Sequence, residues 1–215
     1  MSTDEMQTVG RASGAGTDGR WGGRGGPDEL LVPEEARALI RSASNRAPTG
    51  IRNRALIASM YRSGLRPGEA LALAVDDMDL DAGSLLVPAR KGGRRRRVGV
   101  DATTRELIER WIARRTQRDI PPEAAVFCTL AGESLKAAYV RELLPRLARK
   151  AGIEKRVHPL ALRYANAAEL AEEGFPPAVI DRHLGLAMPG SGRRYRRQYE
   201  EADVIDAVAG RAWRI

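Results

Sequence analysis

Residues 157–199 read VHPLALRYANAAELAEEGFPPAVIDRHLGLAMPGSGRRYRRQY. Apolar residues recur there at helical spacing between glycines and prolines, which predicts consecutive helices. Near the end of the stretch Tyr195 stands between two pairs of arginines, and Tyr199 follows four residues later. Such an arginine cluster requires either an acidic partner or a solvated face. Tyr195 is therefore a reactive phenol, an aromatic contact or an ordinary helix residue.

Outward from this stretch, the apolar spacing predicts one mostly α-helical domain with a small antiparallel β element over residues 30–215. Helices are predicted for LLVPEEARALIRSA, 51–63, PGEALAL, 102–117, 133–151, 160–173, 176–185, 190–199 and 201–212. Ser84–Pro88 and Arg95–Val100 are predicted strands, joined through Lys91-Gly92-Gly93, where glycine supplies positive φ. The run AAVFCTL predicts a short buried strand or extended segment.

The composition favours a basic protein that acts on a polyanion, since the 215 residues carry a formal net charge of +8 and a pI of about 10.2. Neither a signal peptide nor an apolar run of membrane-spanning length is present, so we expect a cytoplasmic, nucleoid-associated protein with no membrane partner. Cys128 is the single cysteine, and its apolar surroundings predict a buried thiol. Residues 1–28 are rich in glycine and small polar residues, which predicts a disordered leader or the remains of a linker.

Three separated motifs carry candidate chemistry. The first is TGIRNRALIASMYRSGLRPGEALAL at 49–73, in which Arg66 precedes Glu69 by three residues. The second is RKGGRRRRV at 90–98, with Lys91 at the tip of the predicted hairpin. The third is the opening stretch. Their order and spacing resemble the catalytic domain of the tyrosine recombinases, the lambda-integrase-like family, over about residues 30–210.

The resemblance implies a role for four residues. Arg66 lies in the family's Gly-Leu-Arg-x-x-Glu motif and Arg163 in its Leu-Arg motif, which makes both of them phosphate-binding arginines. Lys91 matches the hairpin lysine, the general acid for the leaving 5′-oxygen. Tyr195 lies nine residues beyond Leu186, at the position of the nucleophile that forms a 3′-phosphotyrosyl link to DNA, whereas Tyr199 is too far along.

The residue types suit this chemistry. The planar fork of arginine matches the non-bridging oxygens of a phosphodiester, and a lysine can protonate the leaving group. Phenol has an unperturbed pKa of about 10, and neighbouring guanidinium groups favour its phenolate form. Because the phosphotyrosine link keeps the energy of the broken bond, the resemblance implies no metal or nucleotide cofactor and no small-molecule substrate.

Three positions depart from the family's pattern, which usually has Pro-His-x-Leu-Arg-His and Leu-Gly-His. Leu160 and Leu186 occupy the two histidine positions, and Tyr164 follows Arg163 where the family has a further histidine. His158 and His183 are the only histidines and lie out of register, so structural or solvated roles are favoured for both. We assign Glu69 and Tyr164 supporting roles, with His158 a further candidate for support. The alternative to an enzyme is a non-catalytic or weakly active DNA-binding relative, a regulator or an inactive partner subunit.

The implied partner is double-stranded DNA. The predicted DNA contacts are Arg90, Arg94, Arg95, Arg96 and Arg97 in the hairpin and Arg193, Arg194, Arg196 and Arg197 around Tyr195. A strand alternates its faces, so only about half of the hairpin arginines can reach one DNA backbone. A homo-tetramer on DNA is also implied. The apolar stripe Val204, Ile205, Val208 and Ala209 then either belongs to the core or docks on a neighbouring subunit.

The chain has no room for the separate N-terminal DNA-clamping domain of most relatives. We expect that such a domain belongs to a longer protein, that this is a minimal recombinase, or that a partner supplies the clamp.

Overall fold

The computed structural model describes residues 30–89, 95–186 and 201–215. Within those ranges the helices are α1 (Pro33–Ser42), α2 (Pro48–Arg62), α3 (Pro67–Ala70), α4 (Ala102–Thr116), α5 (Ala137–Lys150), α6 (Pro159–Glu172), α7 (Pro177–Leu184) and α8 (Glu201–Ala209). A single 3-10 turn at Val75–Asp77 precedes the strands β1 (Met78–Asp79), β2 (Ser84–Val87) and β3 (Arg96–Gly99). The leader, the hairpin tip and the predicted helix at 190–199 lie outside the described residues.

The predicted β element is a three-stranded antiparallel sheet in the order β1-β2-β3. Strands β2 and β3 pair with Ser84 opposite Gly99 and Val87 opposite Arg96, as the hairpin pattern predicts. Strand β1 was not predicted, because its two residues are too short to show an alternation of apolar and polar side chains. The sheet is therefore one strand larger than the sequence indicated.

Helix boundaries follow proline and turn chemistry. Helix α2 begins at Pro48, three residues before the predicted start, since proline suits the first turn of a helix. Helix α5 begins at Ala137 and not at 133, because a bridge between Cys128 and Ser134 occupies the preceding chain. Cys128 is buried as predicted, in an extended segment.

Helix α2 lies at the centre of the hydrophobic core, where it packs against α4 and α6. Its side chains are buried on nearly every side, and Tyr61 tilts against Trp213 with ring centroids 5.7 Å apart. Trp111 of α4 donates its indole N–H to the carbonyl of Val126 over 2.6 Å, which ties α4 to the extended segment. Among the described residues, the helices are too short or too polar to cross a membrane.

The C-terminal segment packs on its own domain in this structure. Val204, Ile205 and Val208 of α8 are buried, and α8 contacts β3 and α7. Arg211 then pairs with Glu173 through two hydrogen bonds of 2.6 and 2.8 Å. The apolar stripe is therefore part of the core here, and its exchange with a second subunit stays a prediction.

Candidate active site

Arg163 lies near the start of α6 with its guanidinium buried between two loops. One nitrogen donates to the carbonyl of Gly64 just after α2, over 2.5 Å, and another donates to the carbonyl of Leu184 at the end of α7. Burial, together with the positive charges of Arg66 and Arg96, lowers the pKa of Arg163 to about 9. The group remains protonated at neutral pH and holds two loops at a fixed distance.

Gly64 allows this close approach of α2, α6 and α7. Its φ of +61° is costly for other residues, and a Cβ there would lie 2.6 Å from a methyl carbon of Leu184 and 2.8 Å from the side-chain nitrogen of Asn166. The glycine of the Gly-Leu-Arg motif thus serves both the turn and the packing around Arg163. Arg66 follows at the N-terminus of α3, two residues beyond the turn.

A buried carboxylate, Glu69, orients Arg66. Glu69 accepts a hydrogen bond of 2.8 Å from the backbone N–H of Arg66 and one of 3.0 Å from its guanidinium. Burial would raise the pKa of this carboxyl, but the guanidinium groups of Arg96 and then Arg66 outweigh it and lower the pKa to about 2. The Arg66 side chain remains 41% exposed, so its guanidinium can still meet an anion from solvent.

The three described arginines of the predicted hairpin face different ways. Arg95 is 65% exposed with Asp77 at 3.9 Å, and Arg97 is exposed with a bond of 3.1 Å to Ser84. Arg96 is only 14% exposed. Its guanidinium donates to both oxygens of Glu69, over 2.9 and 3.0 Å. The alternation of β3 turns Arg96 inward, so its position differs from that expected of a DNA contact.

The two leucines at the family's histidine positions have different surroundings. Leu160 is 41% exposed in the first turn of α6, three residues before Arg163. Leu186 is partly buried against the apolar cluster formed by α6, α7 and α8. His158 precedes α6 as its N-cap residue and is partly buried, as is Tyr164. Leu160 therefore presents an exposed aliphatic side chain one helical turn before Arg163.

His183 is fully buried in the last turn of α7. Among the described residues, neither ring nitrogen has a hydrogen-bond partner. Burial lowers the pKa of His183 to about 3, with the positive charges of Arg211, Arg96 and Arg163 acting in the same direction. The imidazole is consequently neutral at neutral pH and is packed as a structural group.

Several predicted residues lie outside the described ranges. They are Lys91, Tyr195, Arg90, Arg94, Arg193, Arg194, Arg196 and Arg197. Within the described part of the chain, histidine, cysteine and carboxylate side chains form no cluster of three that could hold a metal ion.

Sequence reasoning missed two elements of the site. One is the link from Arg96 to Glu69, and the other is the use of the Gly64 and Leu184 carbonyls by Arg163. A signal for the first was present, because strand alternation puts Arg96 on the opposite face from Arg95 and Arg97. The carbonyl contacts have no such signal, since any residue type supplies a carbonyl.

Comparisons with known proteins agree with this fold. The model of the phage integrase family matches residues 29–202. The tyrosine recombinase XerC of Xanthomonas campestris pv. campestris is 36% identical over 159 residues, which cover 73% of this chain and 47% of that relative. The chain spans about half the length of the curated relatives it matches.

Two solved structures are similar as well. The crystal structure of XerA recombinase has 25% identity and a TM-score of 0.68, with 80% of this chain and 61% of that chain covered. XerH site-specific recombinase bound to palindromic difH substrate has 27% identity and a TM-score of 0.65, with 78% and 48% covered. The mostly helical fold with its small antiparallel sheet is thereby confirmed. Its motifs, its fold and the match over most of its length show that this chain belongs to the phage integrase family.

Proposed function

We propose that this chain is the catalytic domain of a site-specific tyrosine recombinase, which cuts and rejoins duplex DNA through a 3′-phosphotyrosyl intermediate at Tyr195. The observation that carries the proposal is the binding of the Arg163 guanidinium to the carbonyl of Gly64, which brings it to the turn that leads into Arg66 and its partner Glu69. The similarity to XerC, and to XerH solved on its difH substrate, supports DNA as the substrate. The nucleoid is then the site of action.

Arg66 and Arg163 would bind the non-bridging oxygens of the scissile phosphate. Arg163 uses two of its N–H groups on the Gly64 and Leu184 carbonyls, which orients the plane of the guanidinium before DNA arrives. A guanidinium has five N–H donors, so donors remain for the phosphate. Such preorganised donors contribute about 10²–10³ each to the rate of similar reactions, because charge develops where they already point.

Tyr195 and Lys91 would complete the reaction. The phenolate oxygen of Tyr195 attacks phosphorus, the bond from phosphorus to the 5′-oxygen breaks, and Lys91 protonates that oxygen. Attack by a 5′-hydroxyl on the phosphotyrosine reverses the step and frees the tyrosine. Exchange between two duplexes requires one cleavage in each of their four strands. Because each subunit supplies one tyrosine, the proposal includes a homo-tetramer on DNA.

A covalent trapping experiment tests the proposal. The substrate is a pool of duplexes with a randomised core, each nicked beside the core so that a cleaved strand diffuses away and religation fails. We expect the full chain to form an adduct that survives denaturing electrophoresis. Tyr195→Phe should abolish the adduct and Tyr199→Phe should retain it.

The same experiment separates catalysis from DNA binding. Arg66→Gln should lower the rate of adduct formation by about 10²–10³. If the wild type forms no adduct and still binds the pool with strong salt dependence, the chain is a non-catalytic DNA-binding relative and the proposed reaction is wrong.

A further inference from the structure

Arg96 connects the separate parts of the proposed site. It lies on β3, the strand that follows the loop with Lys91, and its guanidinium holds the Glu69 carboxylate that also binds Arg66. Its Nε donates in addition to the carbonyl of His183 in the last turn of α7, over 3.2 Å. One side chain thus joins β3, the carboxylate that binds Arg66 and the end of α7.

The position of Arg96 is sterically defined. The side chain lies against Gly185, where a Cβ would be 2.8 Å from its Cδ, 2.9 Å from its Nε and 3.1 Å from its Cζ. Gly185 has a φ of +61° and ends α7. A glycine at this turn therefore gives the guanidinium room between the end of α7 and Glu69, and the surrounding atoms leave it little freedom to turn away.

The electrostatics of the pair make Glu69 dependent on Arg96. Two parallel hydrogen bonds from one guanidinium restrain both the position and the plane of a carboxylate, which a single contact does not do. With Arg96 removed, Arg66 alone would hold Glu69. Its two remaining bonds, one to each oxygen, come from the residue that it has to orient, so no outside group would then fix the carboxylate relative to the end of α7.

We infer that Arg96 is a positioning residue, which fixes Glu69 and through it Arg66 in register with the end of α7. This inference rests on the proposed function for its effect on the reaction rate. We assign Arg96 this role and not phosphate binding, because both of its terminal nitrogens donate to Glu69 and its Nε donates to the carbonyl of His183. The effect should accordingly appear in the chemical step and not in DNA affinity.

Single-turnover cleavage of the nicked duplexes is measured at DNA concentrations from limiting to saturating. It tests whether Arg96 affects the chemical step or the DNA affinity. Arg96→Gln should slow the covalent step about 10- to 100-fold, the range found for residues that orient active-site ligands. DNA affinity and its salt dependence should stay within about twofold of wild type. Arg96→Lys should give an intermediate rate, since lysine restores the charge but not the two parallel bonds.

The matched control is Arg105→Gln, at an arginine of α4 that is 42% exposed and pairs with Glu109 over 3.7 Å, away from the proposed site. It should leave the rate at saturating DNA unchanged. Glu69→Gln supplies a second control, because a residue that acts through Glu69 should add little in the double variant Glu69→Gln/Arg96→Gln. Multiplicative effects of the two substitutions, or equal losses of affinity and rate in Arg96→Gln, would overturn the inference.

A readout without catalysis distinguishes failure of this inference from failure of the proposed function. Hydrogen exchange of the Arg66 backbone amide, followed by NMR, should accelerate on the order of tenfold in Arg96→Gln, because its acceptor is Glu69. Arg105→Gln should not change it. An unchanged exchange rate in Arg96→Gln refutes the positioning role, whether or not the wild type forms an adduct. If Arg96→Gln fails to fold, Arg96→Lys carries both measurements.

Discussion

Acidification should destabilise this protein through His183. The folded-state pKa of about 3 lies well below the ordinary value of about 6.5 that the unfolded chain has. Between these values the unfolded chain binds a proton that the folded protein does not accept, so stability falls as pH decreases. Between pH 7.5 and pH 5.0 the histidine of the unfolded chain takes up its proton mainly below its pKa of about 6.5, that is, over about 1.5 pH units. This uptake lowers the unfolding free energy by about 2 kcal/mol.

Urea unfolding at the two pH values measures this change. The chain has two histidines, which makes His158→Asn the matched control for His183→Asn. His183→Asn should remove most of the loss of about 2 kcal/mol, and His158→Asn should remove less of it. The absolute stability of His183→Asn will be lower, since its buried site is altered, so the comparison uses only the pH difference within each variant.

Between pH 7.5 and pH 5.0 the carboxyl group of Glu69, whose pKa is also strongly shifted, does not contribute to the change in stability. Glu69 has a folded-state pKa of about 2, and the stability that it contributes is lost only as pH falls below its unfolded value of about 4.3 and then through 2. A wild type whose stability is the same at both pH values would contradict the burial of a neutral His183. So would a His183→Asn variant that retains the full loss.

Three further substitutions have clear expected outcomes. Gly64→Ala should lower the unfolding free energy by about 3 kcal/mol, because backbone strain and a steric clash add. Gly174→Ala, which has open space around it, should lower it by only about 1 kcal/mol. Equal losses for the two variants in urea unfolding would contradict this. Arg211→Met should lose about 3 kcal/mol, because it removes two hydrogen bonds to Glu173 and the ion pair with Glu169 and leaves Arg62 as the remaining cation beside them. The exposed Arg214→Met should lose almost nothing in the same measurement. Leu160→His should raise adduct formation about tenfold or more by restoring an imidazole beside Arg163, and an unchanged rate would refute a role for that position.

Most of the architecture could be predicted because its signals are local. Apolar residues at helical spacing, with proline at the start and glycine after the end, predicted α2, α6 and α7 to within a few residues. Alternation around a glycine turn predicted the hairpin of β2 and β3. Strand β1 was missed because it is too short to show a period, and the start of α5 was misplaced because the preceding turn is held by a bridge between Cys128 and Ser134.

The arginines of the site show which of its features depend on local sequence and which depend on the tertiary fold. The sequence by itself determined which elements carry Arg66 and Arg163, because each lies in a short motif next to a helix boundary. Only the tertiary structure decided that Arg163 binds the carbonyl of Gly64, 99 residues away, and that Arg96 binds that of His183, 87 residues away. Main-chain acceptors have no residue type to recognise, and a charged side chain turns inward only when folding brings hydrogen-bond acceptors within its reach.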